Sequence, residues 1–357
     1  MIAREDGSGP VRALVLAERG VSGELSYDAL TLEEHGFSVY APHRRASGPA
    51  RKLRDIVEHR SGILWEEALR GGGRRADVVI ALLEQFARAP LLMRRFGASP
   101  YRQTPIVMLS CWLAEELRQR SNDERLRLAR AYHGVDLLLY LSGNQREIFL
   151  DSGFRDEQLA LVPFGAGRRS FMRETGRAVP RDVPLLSVGF DRGRDYGTLF
   201  EAVSMTDIPL RVYCKPSNLA GVRIPKNAEV HAPVPFEEYW NLLQRAQVVV
   251  IPTHDLAYPT GQSVALEASL AGACVVVTGT EPMREYFTHE ETALLVPVGD
   301  PAEMRKAIQR ALASADLRTR LAATAMRRVR QHFTTDNLWS AAVSEMRIRG
   351  IGTTSEG

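Results

Sequence analysis

Short apolar runs alternate with stretches of helical spacing along nearly the whole chain. VRALVLAE (11–18) predicts a strand, and Gly20 and Gly23 bracket a turn after it. Residues 24–35 have helical spacing, Gly36 is placed to end that helix, and FSVYAP starts the next strand. ADVVIALL (76–83), TPIVMLS (104–110), VDLLLYLS (135–142) and LALVPF (159–164) predict further strands, with Arg- and Glu-rich helical stretches between them. Nearly continuous apolar strands separated by helices imply a parallel sheet covered on both faces, since such a strand has no polar side.

The pattern breaks at GAGRRSFMRETGRAVPRDVP (165–184), where glycine, proline and charge cluster as in a domain linker. A second alternating series follows: PLLSVGF (184–190), PLRVYC (209–214), AEVHAPV (228–234), QVVVIPT (247–253), ACVVVTG (273–279) and ALLVPV (293–298). Helical segments at 301–315 and 316–332 close it, and FTTDNLWSAAVSEMRIR (333–349) predicts a last helix capped by Thr335 or Asp336. A chain of 357 residues is too long for one ordinary core. Two doubly wound α/β domains joined by a hinge are therefore expected, with a cleft between them. Ligands of such sheets bind beyond the carboxyl ends of the strands, so the loops after strands are where chemistry is sought.

Composition narrows the class. Hydrophobic residues make up 45% and charged residues 25%, a globular profile. No apolar run approaches the roughly 18 residues that span a bilayer. The opening MIAREDGSGP is polar and acidic, and reads as a short disordered lead rather than a secretory signal. GIGTTSEG at the other end reads as a frayed tail. Three scattered cysteines suggest a reducing cytoplasm and no disulfide framework, and the eight histidines form no metal-binding spacing. A net charge of +3 does not suggest a nucleic-acid binder. The basic excess concentrates in HRRASGPARKLRDIVEHR (43–60), either a solvated loop and helix face or a patch for an anionic acceptor or membrane surface.

Two segments carry candidate chemistry. In residues 247–279 a strand delivers the chain to HDLAYPTGQ, the helix SVALEASLA follows, and Gly272 is a plausible C-cap before CVVVT. Amides at a helix start lack partners and carry partial positive charge, and Gly261 would let an anion approach them closely. An ordinary βαβ turn is the alternative. Glu267 is the one charge on this apolar helix and shares a face with Ser263. A desolvated carboxylate without partners is costly, so either this face is solvated or the carboxylate is specifically paired. The second segment is LLSVGFDRGRDYGTLFEA (185–202), where Gly189 ends a strand and Asp191 to Asp195 read as a mobile loop. Arg192 and Arg194 on that loop suit a diphosphate, because the guanidinium fork binds two oxygens and stays charged. A surface arginine paired with Asp191 or Asp195 is the alternative. No Gly-Lys-Ser/Thr or Gly-x-Gly-x-x-Gly motif points to a Walker loop or a dehydrogenase.

Together these stretches resemble the GT-B glycosyltransferases, particularly retaining family 4, also called group 1. The likeness is most specific over residues 184–335, in LLSVGFDRGRDYGTLFEA, in GQSVALEASLAGACVVVTGTEPMREYF, where the final loop carries Glu285, and in ALLVPVGDPAEMRKAI. Over the first half it rests on element order and LALVPFGAGRRSF. The resemblance implies two Rossmann-like domains facing a central cleft. Residues 1–170 would form the acceptor domain, with a helix at 335–349 packing back on it, and 181–332 the donor domain. It also implies transfer from a UDP- or GDP-sugar to a hydroxyl acceptor (a glycan, glycolipid or small natural product), with formation of an α-glycosidic bond. Glu267 would accept hydrogen bonds from the ribose hydroxyls. Gly189, Arg192, Arg194 and Gly261 to Ser263, including Gln262, would hold the diphosphate and sugar. Arg194 and Gln262 would act in catalysis, and Gly20, Gly23, Ser110 and Trp112 would lie on the acceptor side. No cofactor and no metal is implied. A cytoplasmic protein is expected, with peripheral contact at the inner membrane face through residues 43–60.

Three positions depart from the family pattern. It often carries two glutamates separated by seven residues, and the first position is Pro259 here; Gln262, Asp255 or His254 could substitute. Phe190 stands where an arginine often follows the strand glycine, and Ser110, Cys111 and Trp112 occupy the region of a common histidine. Cys111 reads as a packing residue rather than a nucleophile. These departures keep two further readings open, a non-catalytic nucleotide-sugar-binding partner and a nucleotide-sugar epimerase.

Overall fold

The structure is a computed structural model that describes residues 9–19, 24–43, 47–172 and 179–352. It divides into two compact units, Met1–Pro163 with Thr335–Gly357, and Phe164–Thr334. Each is built on a six-stranded, wholly parallel sheet.

The first sheet comprises β1 (Val11–Leu16), β2 (Phe37–Tyr40), β3 (Val78–Leu82), β4 (Ile106–Leu109), β5 (Leu137–Tyr140) and β6 (Leu159–Leu161), ordered β2-β1-β3-β4-β5-β6. β3, β4 and β5 are buried at every position, so their apolar runs are continuous. The stretch expected as a helix over 24–35 is instead a 3₁₀ helix, Ser26–His35, with Tyr27 and Asp28 in left-handed conformation at φ 60 and 47. The helix Thr335–Ile348 explains the departure. Trp339 Nε1 donates to the Tyr27 carbonyl at 2.7 Å, and Thr335 Oγ1 to Asp28 Oδ2 at 2.8 Å. Gly36 does end the Ser26–His35 element, at φ 88. Thr335 and Asp336 already lie within the last helix, so neither is its cap.

The second sheet comprises β7 (Val183–Val188), β8 (Leu210–Tyr213), β9 (Ala228–His231), β10 (Ala246–Ile251), β11 (Cys274–Thr278) and β12 (Leu294–Val296), ordered β12-β11-β10-β7-β8-β9. Alternate residues serve opposite cores. Leu186, Val188, Val249 and Ile251 pack with the helix Gln262–Leu270, while Leu185, Val248 and Val250 pack on the other face with Leu199, Phe200 and Ile308. Each fully buried aliphatic side chain stabilises the unit by about 1.5–3 kcal/mol. The chain leaves β7 toward one edge and β10 toward the other, so the strand order reverses between them. Loops at the carboxyl ends of these two strands diverge and leave a crevice.

Residues 164–170 belong to the second unit, not to the first domain or to a linker. Ala166 pairs with Thr334, and the short helix Arg168–Phe171 places Ser170 against Glu267. Of the expected linker at 165–184, residues 173–178 lie outside the described residues. Among the described residues no helix is long and apolar enough to cross a membrane.

Candidate functional site

The site is built where the chain leaves β7 and β10. After β7, residues 189–195 are held by hydrogen bonds rather than free to move as the sequence suggested. Asp191 Oδ1 accepts from the Gly193 amide at 2.9 Å and from Thr260 Oγ1 at 2.7 Å. Asn218 Nδ2 donates to the Asp191 carbonyl at 2.9 Å, and the amides of Asp195 and His254 cross-link the loop to the end of β10. Asp195 then caps the helix Tyr196–Ser204, accepting from the Thr198 amide at 3.0 Å.

This loop turns Arg194 inward and leaves Arg192 exposed, so the two arginines do not act as a pair. The Arg194 side chain is 2% exposed, and its Nε donates to Asp191 Oδ2 at 2.9 Å. It is thus ion-paired with Asp191, but beneath the surface. Its Nη1 is buried and has no hydrogen-bond partner. Burial alone would raise the Asp191 carboxyl. The Arg194 charge and the hydrogen bonds from Thr260, Gly193 and Arg194 more than offset it and hold that carboxyl below its ordinary value.

Two glycines make room for the guanidinium. A Cβ on Gly189 would stand 2.2 Å from Arg194 Nε, and one on Gly261 would stand 2.8 Å from Nη1 and 2.5 Å from Ile251 Cγ2. Gly261 therefore serves the packing of Arg194. It is also the N-cap of the helix Gln262–Leu270, at φ 84, a left-handed conformation that favours glycine. Arg194 consequently lies at the positive end of that helix, where a cation is disfavoured unless an anion joins it. Nη1 has no protein acceptor there, and in the first turn the Gln262 amide donates to the Pro259 carbonyl at 3.2 Å. Gln262 lies buried in the first turn, its Nε2 donating to Tyr258 Oη at 2.9 Å and its Oε1 buried without a partner.

On the same helix, Ser263 and Glu267 keep partial exposure while Ala265, Leu266, Ala268 and Leu270 are buried. Both expectations for Glu267 apply, since its face reaches solvent and its carboxylate is also paired. Oε2 accepts from Tyr239 Oη at 2.7 Å, and Oε1 from Ser170 Oγ at 3.2 Å. Burial raises the carboxyl above its ordinary value, while those hydrogen bonds and the nearby Arg169 charge act against the rise. Burial and the Glu267 carboxylate push the Tyr239 phenol well up, so it remains a donor. Gly272 lies at φ 75 just past the helix, where its amide and that of Ala273 close the last turn. Pro259 is buried, while His254, Asp255 and Glu285 are exposed.

In the first unit, Ser110 and Trp112 follow β4, and both are engaged by Glu84. One oxygen of that carboxylate, Oε1, accepts from Ser110 Oγ and from the amides of Cys111, Trp112 and Leu113 at 2.7–2.8 Å. Leu83, at φ 85, turns Glu84 into this position; such a conformation costs a non-glycine residue about 1–3 kcal/mol. Cys111 is buried, with its Sγ 3.3 Å from Tyr27 Oη. Gly20 and Gly23 lie outside the described residues.

Comparison with known proteins agrees with this architecture. Residues 194–343 match the family model described as glycosyl transferase-like. Sucrose-phosphate synthase from Thermosynechococcus elongatus is similar in structure at 17% identity and TM-score 0.68, covering 96% of this chain and 100% of that one. HepE from Anabaena, solved with UDP and glucose, is similar at 14% identity and TM-score 0.64, covering 95% and 100%. A UDP-forming trehalose-phosphate synthase from Burkholderia xenovorans is similar at 14% identity and TM-score 0.65, covering 96% and 100%. A comparison with curated protein sequences finds no match.

The chain has the GT-B fold. The glycosyl transferase-like match spans Arg194, Gln262, Ser263 and Glu267, which the second GT-B unit gathers around one helix. Of the residues that hold them, the sequence pointed to Asp191 only as the partner of a surface arginine, and the others were missed. Asp191 and Gly193 were legible in principle, because Asp-x-Gly favours a side-chain-to-backbone turn of the kind observed. Thr260, Tyr239, Ser170 and Arg169 carry no sequence signal for their roles, since they reach the site from separate elements.

Proposed function

We propose that the protein is a retaining glycosyltransferase. It moves a sugar from a UDP- or GDP-sugar to a hydroxyl of a glycan, glycolipid or small natural product and leaves an α-glycosidic bond. The observation that carries this reading is the buried Arg194, with its Nη1 unpaired, at the amino end of the Gln262–Leu270 helix. That corner supplies positive potential where a diphosphate gains charge as it departs. Glu267, oriented by Tyr239 and Ser170, accepts from the ribose hydroxyls.

In this scheme the bond from the anomeric carbon to the β-phosphate oxygen breaks and its electron pair stays on the phosphate. The acceptor oxygen attacks from the face the nucleotide leaves, and its proton passes to the departing phosphate. No protein nucleophile is needed, and Arg194 with the helix amides takes the part a metal would otherwise play. A cytoplasmic site of action accords with three buried free cysteines.

A second reading, a non-catalytic nucleotide-sugar binder, is favoured by Pro259, whose buried ring stands in place of an acid. Incubation with a panel of nucleotide sugars, with and without a chelator, separates the readings. Donor hydrolysis or transfer that survives chelation, with the anomeric configuration retained by NMR, supports the proposal. Tight binding without turnover supports the second reading, and sugar isomerisation would show an epimerase instead.

A further inference from the structure

The helix Gly48–Ser61 is packed inside out. Its inward residues are polar. Arg54 Nη1 donates to Glu66 Oε2 at 2.7 Å, and Glu58 Oε1 accepts from the amides of Trp65 and Glu66 at 2.9 and 3.2 Å. Arg54 and Glu58 are spaced i,i+4 and define the buried side. Leu53, Ile56 and Val57, spaced i, i+3, i+4, form a stripe outside that buried side and are 63%, 51% and 45% exposed. Pro49 and Ala50 are exposed as well.

Positive charge accompanies this apolar stripe. Arg51, Lys52, His59 and Arg60 are exposed, and among the described residues no carboxylate pairs with Lys52 or Arg60. Asp55 is already paired with Arg51 and Arg54. A helix of 14 residues is about 21 Å long, enough to lie in an interface plane but not to span it. An apolar face lined by basic residues suits the boundary between lipid headgroups and acyl chains. A second copy of the chain suits it less, because a two-fold contact through this face would bring each copy's Lys52 and Arg60 toward those of the other.

We propose that the outward face of the Gly48–Ser61 helix docks the protein on an anionic lipid surface, with Leu53, Ile56 and Val57 entering the acyl boundary and Lys52 and Arg60 meeting the headgroups. The attachment is reversible, since one amphipathic helix buries little apolar surface. It depends on salt, because the headgroup attraction is screened beyond roughly 10 Å at 0.1 M ionic strength.

Flotation of the full chain with vesicles tests this, using phosphatidylcholine alone and phosphatidylcholine with about one-third phosphatidylglycerol. Wild type is expected to float with the anionic vesicles and far less with the neutral ones. Leu53→Gln/Ile56→Gln/Val57→Gln is expected to lower partitioning by at least about tenfold. Lys52→Glu/Arg60→Glu is expected to lower it on anionic vesicles only. Unchanged UDP affinity and circular dichroism show that the variants remain folded. Equal flotation with both vesicle types, or a triple variant that floats like wild type, overturns the proposal. So does a protein that ignores vesicles but sediments as a dimer which the triple variant dissociates; the face is then a contact between copies.

Discussion

Arg194→Met combined with Asp191→Asn removes the buried ion pair without leaving either charge uncompensated. The single Arg194→Met change would leave Asp191 with its Thr260 and Gly193 donors but no cation. Breaking a fully buried pair costs about 3–5 kcal/mol, and the Asp191 side chain, 30% exposed, moves the expected loss to the low end. The double variant avoids most of that loss and isolates the ligand-binding role. What it removes is the unpaired Nη1 donor at the start of the Gln262–Leu270 helix. One charge-assisted hydrogen bond to phosphate is worth about 1.5–3 kcal/mol, or roughly ten- to a hundredfold in affinity. Titration calorimetry with UDP and with uridine reads this directly. UDP should weaken by that factor and uridine by less than about twofold, because only UDP carries the diphosphate. If a folded double variant binds UDP as wild type does, Arg194 is a structural ion pair and the phosphate assignment is refuted. If UDP and uridine weaken equally, the change has altered the pocket's shape instead.

Glu267→Ala should weaken both UDP and uridine, by about 1–3 kcal/mol, since ribose is common to both; unchanged uridine affinity would remove Glu267 from nucleotide recognition. Asp191 makes stability depend on pH. Its folded value is depressed, so its contribution is present in full above the ordinary carboxylate value of about 3.9 and is lost as pH falls toward the folded value. Urea midpoints measured from neutral pH downward should therefore fall less steeply for Asp191→Asn than for wild type, and parallel curves would show that Asp191 contributes nothing to acid lability.

The central strands were legible because they are buried on both faces, which leaves a continuous apolar run such as VVIAL or CVVVT. Glu267 was legible as the one charge on an apolar helix, but its partners were not. Tyr239 and Ser170 lie on elements 28 and 97 residues away, and no local pattern encodes that meeting. Arg192 and Arg194 look equivalent in sequence. Asp191 three residues before Arg194, and bare Gly189 and Gly261 on either side of its guanidinium, decide which one is drawn in. The left-handed Tyr27 and Asp28 depend on Trp339 and Thr335, at the far end of the chain. The basic stretch 43–60 suggested either a solvated face or a membrane patch, but its apolar side was not legible, because Glu66 and two backbone amides capture Arg54 and Glu58 and turn that side outward.

Both units gather polar groups beyond the carboxyl ends of central strands, yet they treat negative charge differently. In the first, the amides after β4 converge on Glu84, so the chain supplies its own anion and the nest is filled. In the second, Asp191 satisfies one side of Arg194, while Nη1 has no protein acceptor. A phosphate entering the first unit would have to displace a carboxylate held by four hydrogen bonds and would lose those contacts. At the second it would meet the amino end of the Gln262–Leu270 helix, with the Arg194 charge beneath it. This difference, rather than the topology the units share, is why the proposed diphosphate site is sought in the second unit.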